Sequence, residues 1–178
     1  MQKILLIFLV SVFCFSVGGG PFGSSSVFCY AEDIAVIVNK HNPMENISFR
    51  EMEKVFWRER KFWPDKSRIY FVLPQSGSRE KKVLMRRVYK MGEMDLRKIW
   101  LTKIFRGEIV GFPKVLNSSA SIKRFVARVP NAIGVVCYDE IDAQADEGIK
   151  VLRVEGRLPE EKGYPLGPKE GNRNEDKG

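Results

Sequence analysis

A polar turn in the middle of the chain, Pro74-Gln75-Ser76-Gly77-Ser78, offers groups that can bind an anion. Gly77 lets the backbone approach a ligand closely, and Ser76 and Ser78 flank it with hydroxyls. The amides of Gly77, Ser78 and Arg79 would be unpaired donors at a helix start, where the helix dipole favours negative charge. The candidate site for a small oxyanion is therefore Ser76, Gly77, Ser78 and Arg79, with a plain helix cap by Ser78 as the alternative.

The neighbouring segments place this turn at the edge of a predicted sheet. Residues 69 to 73 (IYFVL) are apolar and rich in strand-forming types, which predicts a strand. After the turn, Leu84, Val88 and Met91 recur at helical spacing, and basic side chains occupy the opposite face. Open α/β sheets bind ligands outside the carboxyl ends of their strands, so the turn lies where a binding site is expected.

Strands and helices alternate along the chain. Apolar, β-branched runs predict further strands at residues 33 to 40, 132 to 138 and 149 to 154. The alternation predicts an α/β fold with a mostly parallel sheet of four to five strands and helices on both faces.

The predicted helices carry recognisable start signals. Ser48 and Glu51 form a capping box before a short helix that ends near Trp57. A second amphipathic pattern covers residues 94 to 105, and a third begins at Ser118 or Ser119 and runs to residue 129. We expect this last helix to bury Phe125 and Val126, and we expect residues 107 to 117 to be a loop or an extended segment.

The amino terminus has the pattern of a secretory signal peptide. Lys3 precedes an apolar run at residues 4 to 17, which is followed by small residues. We expect residues 1 to 31 to be a signal peptide cleaved near Ala31, so that the mature protein is exported to the periplasm. A cut nearer Gly20 or Ser26 and a retained membrane anchor are the alternatives.

Length and composition indicate the number of domains, the net charge and the absence of internal disulfides. The 178 residues suggest one domain, expected at residues 32 to 155, followed by a disordered polar tail at residues 156 to 178. The net charge of +8 is spread along the chain. After removal of residues 1 to 31, Cys137 is the only cysteine, so no internal disulfide can form, which fits a bacterial periplasm better than a disulfide-stapled secreted module.

No other residue group predicts catalysis, a metal site or a cofactor. His41 is the single histidine and has no cysteine partner, which argues against a zinc site. The acidic residues Asp139, Glu140 and Asp142 are expected in a solvated loop. We therefore predict a protein that is not an enzyme and that holds no cofactor.

A cluster of basic and aromatic residues precedes the second predicted strand. Such mixtures occur in proteins that bind single-stranded nucleic acids. In an exported protein we expect these rings to pack the short helix and its loop instead, and we predict no nucleic-acid partner. The members of the cluster are Phe56, Trp57, Arg58, Arg60, Lys61, Phe62 and Trp63.

The order of motifs from Ile34 to Val136 resembles the phosphate-binding periplasmic proteins of bacterial uptake systems. The motifs are the strand leading into Asn42-Pro43, the Ser-x-x-Glu…Val-Phe-Trp helix, Trp63-Pro64-Asp65, Ser76-Gly77-Ser78 before a helix, and Pro130-Asn131-Ala132-Ile133-Gly134-Val135-Val136. Family members usually have two lobes that close on the ligand, and this chain is similar to one lobe standing alone. The family's Ser-Gly-Thr follows an arginine and an aspartate, whereas here Ser78 replaces the threonine and no charged residue lies between Val72 and Gln75.

The resemblance implies a non-enzymatic periplasmic solute-binding protein that binds phosphate or a similar small oxyanion for transport or sensing. Its implied partners are a membrane transporter or sensor, and a homodimer would cover the exposed site. The alternative is a protein-interaction module that kept the fold and lost ligand binding.

Overall fold

The computed structural model describes residues 34 to 167. The predicted signal peptide and residues 168 to 178 lie outside the described residues. Within the described range, no helix is both long and apolar enough to cross a bilayer. In chain order the elements are β1 (Ile34–Asn39), β2 (Asn46–Ile47), α1 (Phe49–Phe56), β3 (Tyr70–Pro74), α2 (Arg79–Leu84) with a π-helical turn (Met85–Tyr89), α3 (Glu93–Phe105), β4 (Lys114–Leu116), α4 (Ser119–Arg128), β5 (Ala132–Cys137) with a 3-10 turn (Tyr138–Glu140), β6 (Ile149–Val151) and β7 (Arg153–Val154).

Five strands form the main sheet in the order β4-β3-β5-β1-β6, and β2 pairs with β7 in a small separate sheet. Strand β3 is parallel to β4 and β5, whereas β1 is antiparallel to β5 and β6. Four strands of the main sheet therefore point the same way, and β1 opposes them. The predicted α/β class and mostly parallel sheet are confirmed.

Helices cover both faces of the sheet, as predicted. On one face, Ile122 and Val126 of α4 pack against alternate residues of β1 and β5 and against Val72. On the other face, α1, α2 and α3 contribute Phe56, Leu84 and Leu96 to a larger core. Every residue of β1 and β5 is buried because helices cover both sides of these strands.

Side-chain caps fix where the helices begin. The predicted capping box is present: the Glu51 amide donates to Ser48 Oγ at 3.2 Å, and the Glu51 carboxylate accepts from the Ser48 amide. Helix α4 begins in the same manner, since Ser118 Oγ accepts from the amide of Ser121 at 3.2 Å. Ser118 rather than Ser119 is therefore its cap residue.

The packing of α4 differs from the prediction at one position. Val126 is fully buried, as expected, but Phe125 is only partly buried at the edge of the core. The ammonium of Lys114 lies 4.5 Å from the Phe125 ring centroid and covers its outer side. Residues 107 to 117 were predicted to be a loop or an extended segment. They contain β4, a short edge strand whose first residue is Lys114.

The carboxyl-terminal segment folds back onto the domain for longer than predicted. Tyr164 is 5% exposed and Leu166 is 0% exposed, and both belong to the larger core. Residues 156 to 167, which were predicted to begin a disordered tail, therefore pack against the domain through these two apolar side chains.

Candidate functional site

The candidate anion-binding turn lies directly after β3. Gly77 adopts a left-handed backbone with φ +78°, which favours glycine, and no other atom lies within 4 Å of the place where a side chain would begin. Ser78 is the cap residue of α2, and its hydroxyl oxygen accepts from the amide of Lys81 at 3.2 Å. The Ser78 amide donates to the carbonyl of Gln75 at 3.3 Å, which closes the turn.

Two of the three predicted backbone donors are open. Within residues 34 to 167, the amides of Gly77 and Arg79 have no hydrogen-bond acceptor. Ser76 is exposed and borders an open cavity of about 520 Å³. A ligand at this turn can therefore be held by the amides of Gly77 and Arg79 and by the Ser76 hydroxyl, while Ser78 is occupied by capping and by the turn itself.

The side chain of Arg79 points to the end of β5. Its Nη2 donates to both carboxylate oxygens of Asp139, at 2.7 and 3.0 Å, and its Nε donates to the sulfur of Cys137 at 2.9 Å. Glu140 lies 3.8 Å from the same guanidinium. The Asp139 hydrogen bond is the largest cause that raises the pKa of Arg79, and burial opposes it. The predicted ligand residue Arg79 thus already has an anionic partner.

A buried carboxylate lies next to the turn. Glu80 is 6% exposed, and the hydroxyl of Ser119 at the start of α4 donates to Glu80 Oε1 at 2.6 Å. Burial alone would raise the pKa of Glu80, but hydrogen bonds from Ser119, from its own amide and from Ser78 and Cys137 lower the pKa overall. The carboxylate is therefore ionised at neutral pH, so negative charge already occupies the space beside the turn.

One group of possible metal ligands forms within the described residues. The ligand atoms of Glu80, Cys137 and Glu140 lie within 4.8 Å of one another. Burial raises the pKa of the Cys137 thiol to about 12, so it stays protonated at neutral pH, and Arg79 already contacts its sulfur. Because metals bind the thiolate, this group is a poor metal site. Cys137 behaves as the small buried residue that its strand position predicts.

Comparison with solved structures finds the same architecture in phosphate-binding proteins. An ABC-type phosphate transport receptor from Vibrio cholerae matches with a TM-score of 0.60 and 16% identity over 76% of this chain and 53% of the receptor. PstS from Borrelia burgdorferi matches with a TM-score of 0.58 and 15% identity, covering 76% and 54%. A Clostridium perfringens structure is described as a phosphate ABC transporter substrate-binding protein with bound phosphate. It matches with a TM-score of 0.56 and 19% identity over 72% of this chain and 47% of its own.

The fold is shared with these substrate-binding proteins. The chain spans about half the length of the solved structures that it matches. No protein-family model matches it, and comparison with curated proteins finds no match. The likeness therefore shows a fold with the architecture of a substrate-binding-protein lobe, and the ligand is a separate question.

The structure brings together more residues around the turn than the sequence indicated. Glu80, Ser119 and Asp139 were missed, because the sequence placed Asp139 in a solvated loop and considered Ser119 only as a helix cap. A signal for Glu80 existed, since a carboxylate in the first turn of a helix lies close to the free amides there. The contact with Ser119 depends on how α2 and α4 pack on the sheet, which a single sequence does not reveal.

Proposed function

We propose that this protein is a non-enzymatic solute-binding protein that binds phosphate or a similar small oxyanion for transport or sensing. The ligand site is the turn formed by Ser76, Gly77, Ser78 and Arg79. The observation that carries the proposal is the pair of open amides at Gly77 and Arg79, at the end of a strand in the fold of phosphate-binding substrate-binding proteins.

The chemistry of the turn favours hydrogen bonding over charge pairing. Arg79 is already paired with Asp139, and Glu80 adds a nearby negative charge. The amides of Gly77 and Arg79 and the Ser76 hydroxyl therefore supply the stabilisation. Because the site is open on one side, water screens its electrostatic interactions. The few contacts with the ligand must also offset the ligand's loss of translational and rotational freedom. We expect a dissociation constant of about 0.1 to 1 mM, tightening if a second copy of the chain covers the turn.

Calorimetric titration with phosphate and sulfate tests the proposal through a matched pair of variants. Ser76→Ala removes the exposed hydroxyl beside the two open amides, whereas Ser118→Ala removes a hydroxyl that caps α4 and takes no part in the turn. Only Ser76→Ala should weaken anion binding. Equal affinities in the two variants, or no binding to the unmodified protein at millimolar anion, would reject the turn as the site.

One observation favours a second function, a protein-interaction module that kept the fold and lost the ligand. The guanidinium of Arg79 is held by Asp139 in a two-oxygen contact, so its charge is largely neutralised before any ligand arrives. The turn is also exposed on one side, and a one-sided site buries little of a small ligand. Failure of every oxyanion in calorimetry would make this the better account.

Export to the periplasm and partnership with a membrane transporter or sensor complete the proposal. The support for export is the charged, apolar and small-residue pattern in residues 1 to 31. Mass spectrometry of the exported protein should give a chain that begins near Glu32. An intact chain from Met1 in a membrane fraction would contradict cleavage.

A further inference from the structure

A basic cleft lies at the amino end of β3, the opposite end of the strand from the 76–79 turn. The cleft has a volume of about 240 Å³ and is formed by the loop after α1, the start of β3 and the segment before β4. Fifteen described residues line the cleft; of these, five are cationic and none is acidic. The cations are Arg58, Arg60, Lys61, Arg68 and Lys114.

The existing contacts leave most of this charge without a counter-ion. Among the described residues, Arg60 is the one cation of the five with a carboxylate partner, Glu51, whose oxygen lies 2.8 Å from Arg60 Nη1. Arg58 Nη1 donates to the carbonyl of Gly111 at 2.7 Å, and Lys61 Nζ donates to a backbone carbonyl at 2.8 Å. Within residues 34 to 167, the guanidinium of Arg68 makes no hydrogen bond and no ion pair.

Without a bound ligand, the backbone conformation and the surroundings of Arg58 are energetically unfavourable. Its backbone is left-handed, with φ +58°, a conformation that residues with side chains adopt at a cost. Burial first, and the positive charge of Arg68 second, lower the pKa of the Arg58 guanidinium. Two arginines held together without an intervening carboxylate repel each other, and an anion between them would relieve that repulsion.

The walls of the cleft are aromatic and apolar. Tyr70 is 48% exposed and Phe112 is 45% exposed, although both are large apolar side chains. Val110, at 84% exposure, stands at the rim. Aromatic faces beside arginines suit ligands that join an anionic group to a ring or an alkyl body.

We propose that the basic cleft binds a phosphate-bearing anion with at least two negative charges. The planar guanidinium groups of Arg58 and Arg68 match phosphate oxygens in a forked geometry, and Lys61 and Lys114 add point charges. The small volume admits a phosphate or diphosphate group rather than an entire large ligand. A soluble phosphorylated compound and a phospholipid whose head group is a phosphate monoester, such as phosphatidic acid, both present this chemistry.

This site is independent of the one assigned to the 76–79 turn. Four residue steps separate Tyr70 at the start of β3 from Pro74 at its end, which corresponds to about 13 Å. No residue of the turn lines the cleft. Variants of the cleft therefore leave the turn intact, and the two proposals can fail separately.

Calorimetry with inorganic pyrophosphate tests the cleft. Arg68→Gln removes a charge that has no partner in the described residues, and Arg128→Gln removes a matched exposed charge on α4, away from the cleft. We expect Arg68→Gln to weaken pyrophosphate binding about tenfold, and Arg128→Gln to leave it unchanged. Binding should also weaken as salt is raised, because exposed charges are screened. Amide shifts should occur at Arg58, Arg68 and Lys114, and Arg68→Gln should reduce them without altering any shift at Gly77.

Vesicle sedimentation distinguishes the two sources of phosphate. If a lipid head group is the ligand, vesicles that contain phosphatidic acid should retain the protein, vesicles of phosphatidylcholine alone should not, and Arg68→Gln should reduce retention. If a soluble compound is the ligand, pyrophosphate binds and neither vesicle does. The proposal is overturned if pyrophosphate and both vesicles fail to bind, or if Arg68→Gln binds as the unmodified protein does.

Discussion

Ser119 donates its hydroxyl hydrogen to Glu80 across 2.6 Å, and both side chains are buried. This bond joins the first turn of α4 to the first turn of α2 beside the carboxyl ends of β3 and β5. It holds in place the segment that follows the candidate anion-binding turn. It also puts a fixed negative charge next to that turn, which any bound oxyanion must tolerate.

Removing the Ser119 hydroxyl should destabilise the fold. Ser119→Ala leaves a buried carboxylate with one donor fewer, and we expect a loss of about 1 to 3 kcal/mol of unfolding free energy at neutral pH. The loss should be smaller in acid, where Glu80 is protonated. Urea unfolding at several pH values measures both effects, and a loss below about half a kcal/mol would show that the bond contributes little.

The same carboxylate should make stability depend on pH in a predictable direction. The pKa of Glu80 is lowered in the folded protein. Ionised Glu80 therefore adds stability at pH values above its ordinary pKa of 4.5, and this stability is lost as the pH falls through the pKa of the folded state. Glu80→Gln removes this titrating group. We expect the unmodified protein to lose stability more steeply than the variant below about pH 4.5, and parallel curves would contradict the assignment.

Lys81 should be a source of instability. It is 5% exposed, and burial lowers the pKa of its ammonium from 10.5, while the charge of Glu93 opposes this shift; the rings of Trp100 and Tyr89 lie 5.7 and 6.0 Å from the ammonium. Lys81→Met keeps the apolar stem and removes the buried charge, so we expect a gain of about 1 kcal/mol at neutral pH.

The gain from Lys81→Met should shrink as pH rises. Because the folded pKa lies below the unfolded one, the unmodified protein regains stability as pH rises through the folded value towards 10.5. Thermal unfolding of both proteins at neutral and alkaline pH tests this. A variant that is less stable at neutral pH would show that the contacts of the ammonium with the two rings outweigh the cost of its burial.

Two apolar side chains of α4 should respond differently to truncation. Ile122 is fully buried, so Ile122→Ala should cost about 2 to 5 kcal/mol. Phe125 is only partly buried, so Phe125→Ala should cost less than Ile122→Ala. Denaturant unfolding of the two variants orders them, and a larger loss for Phe125→Ala would mean that its ring carries more of the core than its position indicates.

The last described segment should contribute to stability in spite of its polar composition. Leu166 is fully buried in the larger core, and Leu166→Ala should cost about 2 to 5 kcal/mol. Leu158 is only partly buried, and Leu158→Ala should cost less. If Leu166→Ala unfolds at the same denaturant concentration as the unmodified protein, the segment does not hold against the core.

Local signals in the sequence predicted much of this fold. The run of β1 is apolar throughout because helices cover both of its sides, and Ser48 with Glu51 marks the start of α1 through bonds within four residues. By contrast, the reversed direction of β1 depends on its pairing with β5, and β4 has only three residues, two of them exposed. Neither feature leaves a periodic pattern in the sequence.

The candidate site was predictable only in its backbone. Gly77 and the cap by Ser78 follow from turn and helix chemistry, and the structure has both. The partners of the side chains come from distant segments: Asp139 lies 60 residues from Arg79, and Ser119 lies 39 residues from Glu80. Such contacts depend on tertiary packing. The sequence therefore predicted Arg79 as a ligand-binding residue without revealing that Asp139 is its partner in the folded chain.

The backbone amides of the turn show most directly whether it binds an oxyanion. In a titration of isotope-labelled protein with phosphate and sulfate, each amide reports its own hydrogen bonding through its chemical shift. We expect saturable shifts at Gly77 and Arg79 at millimolar anion, with smaller changes at Ser78, whose amide already donates to Gln75. If Gly77 and Arg79 do not shift while the protein stays folded, the turn is only a helix cap and the oxyanion-binding function is contradicted.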